Sequence, residues 1–166
     1  MTMHLHFINT MKIILVSIII GFSSLIAEQI DTKPLTRTIE RYNLELIRAA
    51  RNGDVSPLKP LATDRIVQKT YAWIHSWQDS NYYMRSKLEK INYLSFSSTE
   101  NNHRQVQTKE EWIYDYYDAG HKKEAMPRTR TEYRMVYSLF YHKGHWIIEE
   151  IKIISEKETL LEKLIK

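Results

Sequence analysis

From Leu35 to Asn52, apolar residues recur as Leu35, Ile39, Tyr42, Leu46 and Ala49 or Ala50. Intervals of three and four keep one face of a helix continuous. Pro34 near the start and Gly53 just past the end suit helix termini, so the spacing predicts an amphipathic helix. The stretch DVSPLKPLATD (residues 54–64) breaks the period. A second helix follows, with Ile66, Thr70, Trp73 and Trp77 on one side, Val67 and Ile74 beside them, and an end near Asn81. Aromatic residues at helical spacing ordinarily face a core, so Trp73 and Trp77 are expected to pack onto a sheet. Beyond Asn81 the period changes to two. Residues 82–98 form a long β-like run; in 103–117, Val106, Thr108, Trp112, Tyr114 and Tyr116 share one parity; in 130–141, Tyr133, Met135, Tyr137, Leu139 and Tyr141 do so. The breaks at 118–128 and 142–144 contain Gly120 and Gly144. Two helices followed by a four-strand antiparallel meander define an α+β pattern.

The fourth strand, HWIIEEIKII at 145–154, carries two adjacent glutamates in an apolar run. Successive side chains on a strand project to opposite faces, so one of Glu149 and Glu150 is expected to point inward. The preceding turn decides which. A two-residue turn of Lys143 and Gly144 sets Tyr137 against Glu150; a three-residue loop of His142, Lys143 and Gly144 sets Tyr137 against Glu149. The longer loop is preferred, because it needs only Gly144 in the left-handed region, whereas a type I′ turn also forces Lys143 there. It also aligns Leu139 with Ile147, Met135 with Ile151 and Tyr133 with Ile153. Glu149 is then the inward carboxylate within a ring of tyrosines. Glu150 lies on the opposite face, within reach of Arg134 or Lys152.

The two ends differ from the middle. Lys12 precedes an uncharged, mostly apolar run from Ile13 to Ala27, which has the parts of a secretory signal. It is shorter than the roughly 20 residues that span a bilayer comfortably, and its cleavage site is imperfect, so residues 1–27 read as a signal peptide or an uncleaved anchor. Residues 28–154 then make the folded domain, placed outside the cytoplasm in either case. The tail at 155–166 shows Leu160, Leu161, Leu164 and Ile165 at helical spacing, predicting a C-terminal amphipathic helix. Its default role is to pack on its own domain.

Charge narrows the function. Residues 1–27 hold one of the 24 basic residues and none of the 20 acidic ones, leaving about +3 on the remainder. Both signs are interspersed without a basic stripe, which argues against nucleic acid. No cysteine is present, so there is no disulfide framework. All 11 tyrosines and 4 tryptophans lie between Tyr42 and Trp146.

An inward Glu149 near Tyr133 and Tyr137 has the group types of a general base with phenolic oxyanion donors. The plainer expectation is a glutamate satisfied by tyrosine hydroxyls or an arginine. His142 and His145 at the hairpin tip lack a nearby third ligand, so no metal is expected; His75 on the second helix is placed by nothing further. Gly-rich phosphate loops and a nucleophilic triad are absent, and no cofactor is expected.

The runs NYYMRSKLEKINYLSF, VQTKEEWIYDYYDAGH and RTRTEYRMVYSLFYHKGHWIIEEIKII resemble the IMS-type domain of chloroplast-division proteins and their cyanobacterial relatives. The residues that carry the resemblance are Tyr82, Tyr83 and Arg85, the acidic-aromatic strand ending in Gly120, YRMVYSL, and Gly144, Trp146 and Ile148. It spans roughly residues 44 to 154. It implies an NTF2-like fold, a curved sheet wrapped around helices to form a cone, and a protein-binding role. The expectation is therefore an exported, non-enzymatic domain whose Trp73, Trp77, Trp112, Tyr133, Tyr137 and Glu149 meet an envelope protein or a small apolar ligand. Alternatives are an isomerase or dehydratase using Glu149, a membrane-tethered scaffold held through residues 13–27, and, for assembly, a homodimer through the sheet.

Overall fold

The structure is a computed structural model that describes residues 30–120 and 124–161. The chain divides into Met1–Ile30 and Asp31–Lys166, and the second unit carries every helix and strand among the described residues. The first helix, α1, runs Lys33–Asn52 with Pro34 in its first turn. Gly53 ends it at φ 79°, its N–H donating to the Ala49 carbonyl at 2.8 Å. This left-handed cap is the role glycine takes at helix ends. A Cβ at Gly53 would also stand 3.0 Å from the Gln78 side-chain nitrogen. After a 3-10 turn at Ser56–Leu58, α2 runs Asp64–Asp79. Most of the predicted helical stripe is buried, namely Leu35, Ile39, Tyr42, Ala49 and Ala50 of α1 and Ile66, Val67, Thr70 and Ile74 of α2, but Trp73, expected to pack as core, is 40% exposed.

The strands are β1 (Tyr82–Glu100), β2 (His103–Asp118), β3 (Glu124–His142) and β4 (His145–Leu160). They form one antiparallel meander in the order β1-β2-β3-β4. On the side facing the helices, Met84, Val106, Trp112, Tyr137, Leu139 and Ile148 close the core with Leu58 and Leu61. The segment between the helices also joins the sheet. Ile148 donates to the Leu61 carbonyl and accepts from Thr63 N–H, both at 2.9 Å, making a short parallel bridge on the outer edge of β4.

Bulges interrupt the two edge strands at Glu89, Leu94 and Thr99 in β1 and at Glu149 and Ile154 in β4. Each adds a residue against its neighbour and bends the strand.

Two expectations require correction. The hairpin closes through a two-residue turn, with His142 opposite His145 and with Lys143 at φ 47° and Gly144 at φ 90°. Strain at one lysine, about 1 kcal/mol, is outweighed by a primed turn whose twist matches the strands it joins. Leu139 therefore faces Ile148 and Tyr137 faces Ile151, while Glu149 occupies a bulge and Glu150 faces Ser138.

The C-terminal helix is likewise replaced, because β4 continues to Leu160. The reason lies in β3, which begins at Glu124 rather than near Arg130 and offers a long row of backbone groups. Ser155 to Leu160 pair with Arg134 back to Thr129, which satisfies more backbone groups than a short terminal helix of marginal stability. Leu164 and Ile165 lie outside the described residues, as does the run 13–27. Among the described residues no helix is long and apolar enough to cross a membrane.

Candidate functional site

The alternation of β2 sends Val106, Thr108, Glu110 and Trp112 to the helix-facing side, and all four are buried. Glu110 is therefore a carboxylate with no exposed surface. Its environment explains how it is tolerated. Oε1 accepts from Thr108 Oγ1 at 2.9 Å and Tyr137 Oη at 2.8 Å. Oε2 accepts from Trp112 Nε1 at 2.8 Å and more distantly from Asn43 Nδ2 at 3.5 Å. Four donors, from α1, β2 and β3, meet one carboxylate, which replaces the hydration lost on burial. No cation is among them. Tyr137 is itself completely buried, and that burial, reinforced by the negative charge of Glu110, pushes its phenol well above the usual range. The hydroxyl thus stays protonated and donates.

Beside this cluster lies a cleft of about 330 Å³, near the lower end of ordinary small-molecule sites. Trp73 and Ile66 of α2, Tyr42 and Leu46 of α1, and Trp112, Tyr114, Tyr133, Met135 and Tyr137 of the central strands line it, with Ile151 and Ile153 at the β4 side. Trp73 is 40% exposed and Ile153 54%, so apolar surface is available at the mouth. Lys69 is the one cationic side chain among the lining residues. Burial also raises the Tyr114 and Tyr133 phenols, and pushes nearby Tyr116 up to about 12. Apart from Lys69 the walls are consequently neutral and largely aromatic, with hydroxyl donors and no carboxylate among the lining side chains.

Of the residues singled out from sequence, Trp73, Trp112, Tyr133 and Tyr137 come together in this cleft. Trp77 does not. It packs at 4.9 Å between ring centroids on Tyr116 and borders a separate small void with Ile74 and Met84. Glu149 does not either: its side chain is 36% exposed and lies 3.8 Å from His103 Nε2, while its carbonyl accepts from Arg65 at 2.8 Å. The inward carboxylate partnered by Tyr137 exists, but it is Glu110. Its parity with Thr108 and Trp112 was the available signal. Asn43 gave no such signal, because a polar residue on a helix shows its partner only after folding.

A larger depression, about 630 Å³, is walled by compensated charge. There Asp115 meets Arg128 Nε at 2.5 Å, and Glu89 meets Lys87 at 3.0 Å and Arg130 at 3.2 Å. His142 and His145 are exposed at the turn, and His145 Nδ1 lies 3.3 Å from the Lys143 carbonyl. Among the described residues no cluster of three or more His, Cys, Asp or Glu could hold a metal ion.

Two helices on a four-strand antiparallel meander, with an aromatic cleft between them, are the features of an NTF2-like domain. The chain belongs to the YvbJ NTF2-like domain family, whose model matches residues 35–152. The intermembrane space region of the chloroplast protein ARC6 is a structural neighbour, with a TM-score of 0.65 at 16% identity, covering 75% of this chain and 97% of that one. The resemblance to IMS-type domains is thereby confirmed at the level of fold. Weaker likenesses are to a protein of cystatin-like fold from Caulobacter vibrioides (TM-score 0.44, 14% identity, 75% of this chain and 89% of that one) and to a de novo designed β-sheet protein (TM-score 0.43, 10% identity, 78% and 94%). No curated protein matches the chain in sequence.

Proposed function

We propose that this domain is a non-enzymatic binding module that receives an apolar group, from a protein partner or a small ligand, in the cleft beside Trp73 and Trp112. One observation carries this reading: Glu110, the one buried carboxylate among the described residues, is occupied by four donors and does not line the cleft. A general base must have a lone pair within reach of the proton it removes. Glu110 has spent its oxygens on Thr108, Tyr137, Trp112 and Asn43. What the cleft offers instead is aromatic area and phenolic hydroxyls, the composition of a recognition surface.

An envelope setting accompanies the reading. The run Ile13–Ala27 behind Lys12 has the make-up of an export signal or tether, and the part of ARC6 that this fold resembles lies in an intermembrane space. The curved sheet is read as the wall of a cone with the cleft as its mouth.

The test uses 1-anilinonaphthalene-8-sulfonate as an apolar probe of the cleft. Wild-type protein enhances its fluorescence at micromolar concentration, Trp73→Ala weakens binding at least fivefold, and Glu149→Gln leaves it unchanged. A photocrosslinking residue at position 73, introduced into the full chain in cells, captures the partner in envelope fractions. Probe binding insensitive to Trp73→Ala refutes the cleft as the site. N-terminal sequencing of the mature protein decides between a removed signal and a tether.

A further inference from the structure

The outer edge of β4 is open along part of its length, whether or not the cleft is occupied. Near the start of the strand this edge is already used by the chain itself, since Leu61 and Thr63 pair with Ile148. Beyond the bulge at Ile154, six residues from Ser155 to Leu160 run without further interruption, each paired to β3 on one side only. The bond from Leu161 N–H to the Arg128 carbonyl fixes which backbone groups face outward. Bonding alternates along an antiparallel ladder. The N–H and C=O groups of Ser155, Lys157 and Thr159 therefore serve β3, and those of Glu156, Glu158 and Leu160 point away from the sheet. Among the described residues no backbone partner meets them.

The side chains of these same three residues share the helix-facing side, where Glu156 and Glu158 stand opposite Tyr133 and Thr131. Their charge is felt there, contributing to the raised phenols of Tyr116 and Tyr133. Neither glutamate has a salt bridge among the described residues. This contrasts with the neighbouring Glu132, which holds Lys109 at 2.7 Å. An open backbone edge with two unpaired carboxylates at alternate positions, ending in the exposed Leu160, specifies its own complement.

We propose that Ser155–Leu160 binds an extended basic segment of a partner protein as a fifth strand, with two cationic side chains at alternate positions set against Glu156 and Glu158. Main-chain bonds supply the attachment and alternate side chains the selectivity, as in other strand additions. A second copy of this chain is a poor occupant. Antiparallel pairing about Lys157 would set Glu156 against Glu158 twice, and directly opposed like charges destabilise a sheet.

The probe is a labelled nonapeptide alternating lysine and valine, with a version in which glutamate replaces lysine. The full chain is expected to bind the lysine peptide at least tenfold more tightly, with affinity falling as salt rises. Glu156→Gln with Glu158→Gln removes that preference. Leu160→Pro deletes an outward N–H without altering charge or the β3 ladder, and should weaken binding about tenfold. Trp73→Ala should not change it, which separates this surface from the cleft. Amide exchange on the unaltered protein provides a reading that does not depend on variant folding. Bound peptide should slow exchange at Glu156, Glu158 and Leu160 but not at Lys157 and Thr159. Failure of the lysine peptide to bind at millimolar concentration, equal binding of both peptides, or protection without this alternation overturns the proposal.

Discussion

Tyr137→Phe isolates the buried cluster, because it removes one hydroxyl and keeps the ring that fills the core. In the native protein that hydroxyl is fully buried, donates to Glu110 at 2.8 Å, and lies 3.4 Å from Asn43 Oδ1. Loss of a hydrogen bond to a charged group costs about 1.5–3 kcal/mol, and the carboxylate left behind cannot recover it from water. The expected loss is thus about 2 kcal/mol, a sizeable share of the ~5–15 kcal/mol of a typical domain. Glu110→Gln is the companion. Its amide oxygen can accept from Trp112, and its NH2 can face Thr108 and Tyr137, whose hydroxyls can rotate to accept. Its cost should be about 1–2 kcal/mol. Because the two residues share one bond, the double variant should lose less than the sum of the singles by at least ~0.5 kcal/mol. Urea unfolding followed by tryptophan fluorescence, at unchanged m-value, measures all three. If Tyr137→Phe lies within about 0.5 kcal/mol of wild type, or if the losses simply add, Glu110 is not held by this hydroxyl and the account of its burial fails.

At the β3–β4 turn, Lys143→Asn should raise stability by about 0.5–1 kcal/mol, since asparagine tolerates the left-handed region that Lys143 occupies at φ 47°. Gly144→Ala should lower it by about 1 kcal/mol on backbone grounds alone, as no atom lies within 4 Å of the added methyl; thermal melts of both variants test the turn. The phenols of Tyr42, Tyr93, Tyr114, Tyr116, Tyr133 and Tyr137 are all raised, chiefly by burial. Above pH ~10 the unfolded chain sheds these protons while the folded one keeps them, so their contribution is intact below ~10 and declines above it. For Tyr116 the decline falls between about 10 and about 12. Absorbance at 295 nm should show the six ionising with alkaline unfolding, and six phenols titrating freely in the folded protein would refute their burial.

The helices were legible because period, Pro34 and Gly53 agree, and each acts within a turn or two of chain. The meander was legible for the same reason, since alternation over 103–117 and 130–141 is local. The parity of β2 also carried Glu110 inward beside Thr108 and Trp112, although a charged residue in an aromatic strand invites an outward assignment. Its tolerance depends on Asn43 and Tyr137, which are 67 and 27 positions away, and no local pattern encodes that meeting. The helical stripe of Leu160 and Leu161 misled in the other direction. Its spacing was real, but a waiting ladder on β3 offered more backbone hydrogen bonds than a terminal helix of a few turns.

The deeper obstacle is that parity survives only until the next bulge. In β1 the extra residues fall at Glu89, Leu94 and Thr99, and in β4 at Glu149 and Ile154, five residues apart each time. Every such insertion changes which residues of the strand share a face. Reading β4 at a period of two therefore assigns faces correctly for only a few residues before the assignment inverts. The same insertions build the site. The bulge at Glu149 leaves Ile151 and Ile153 together facing the cleft, and the bulge at Ile154 passes that face on to Glu156 and Glu158. A strand with unbroken alternation after Ile153 would have put Ser155 and Lys157 there instead, and the acidic pair on the opposite face. The acidic edge therefore depends on Ile154 staying outside the ladder; deleting it leaves Met135 against Ile153, Arg134 against Ser155 and Tyr133 against Glu156, so both surfaces should survive the deletion. Retention of probe binding and of lysine-peptide preference in that deletion, with the β3–β4 turn unchanged by amide exchange, is the expected result; loss of either would show that the pairing of β4 beyond Ile153 is not the one on which its faces rest.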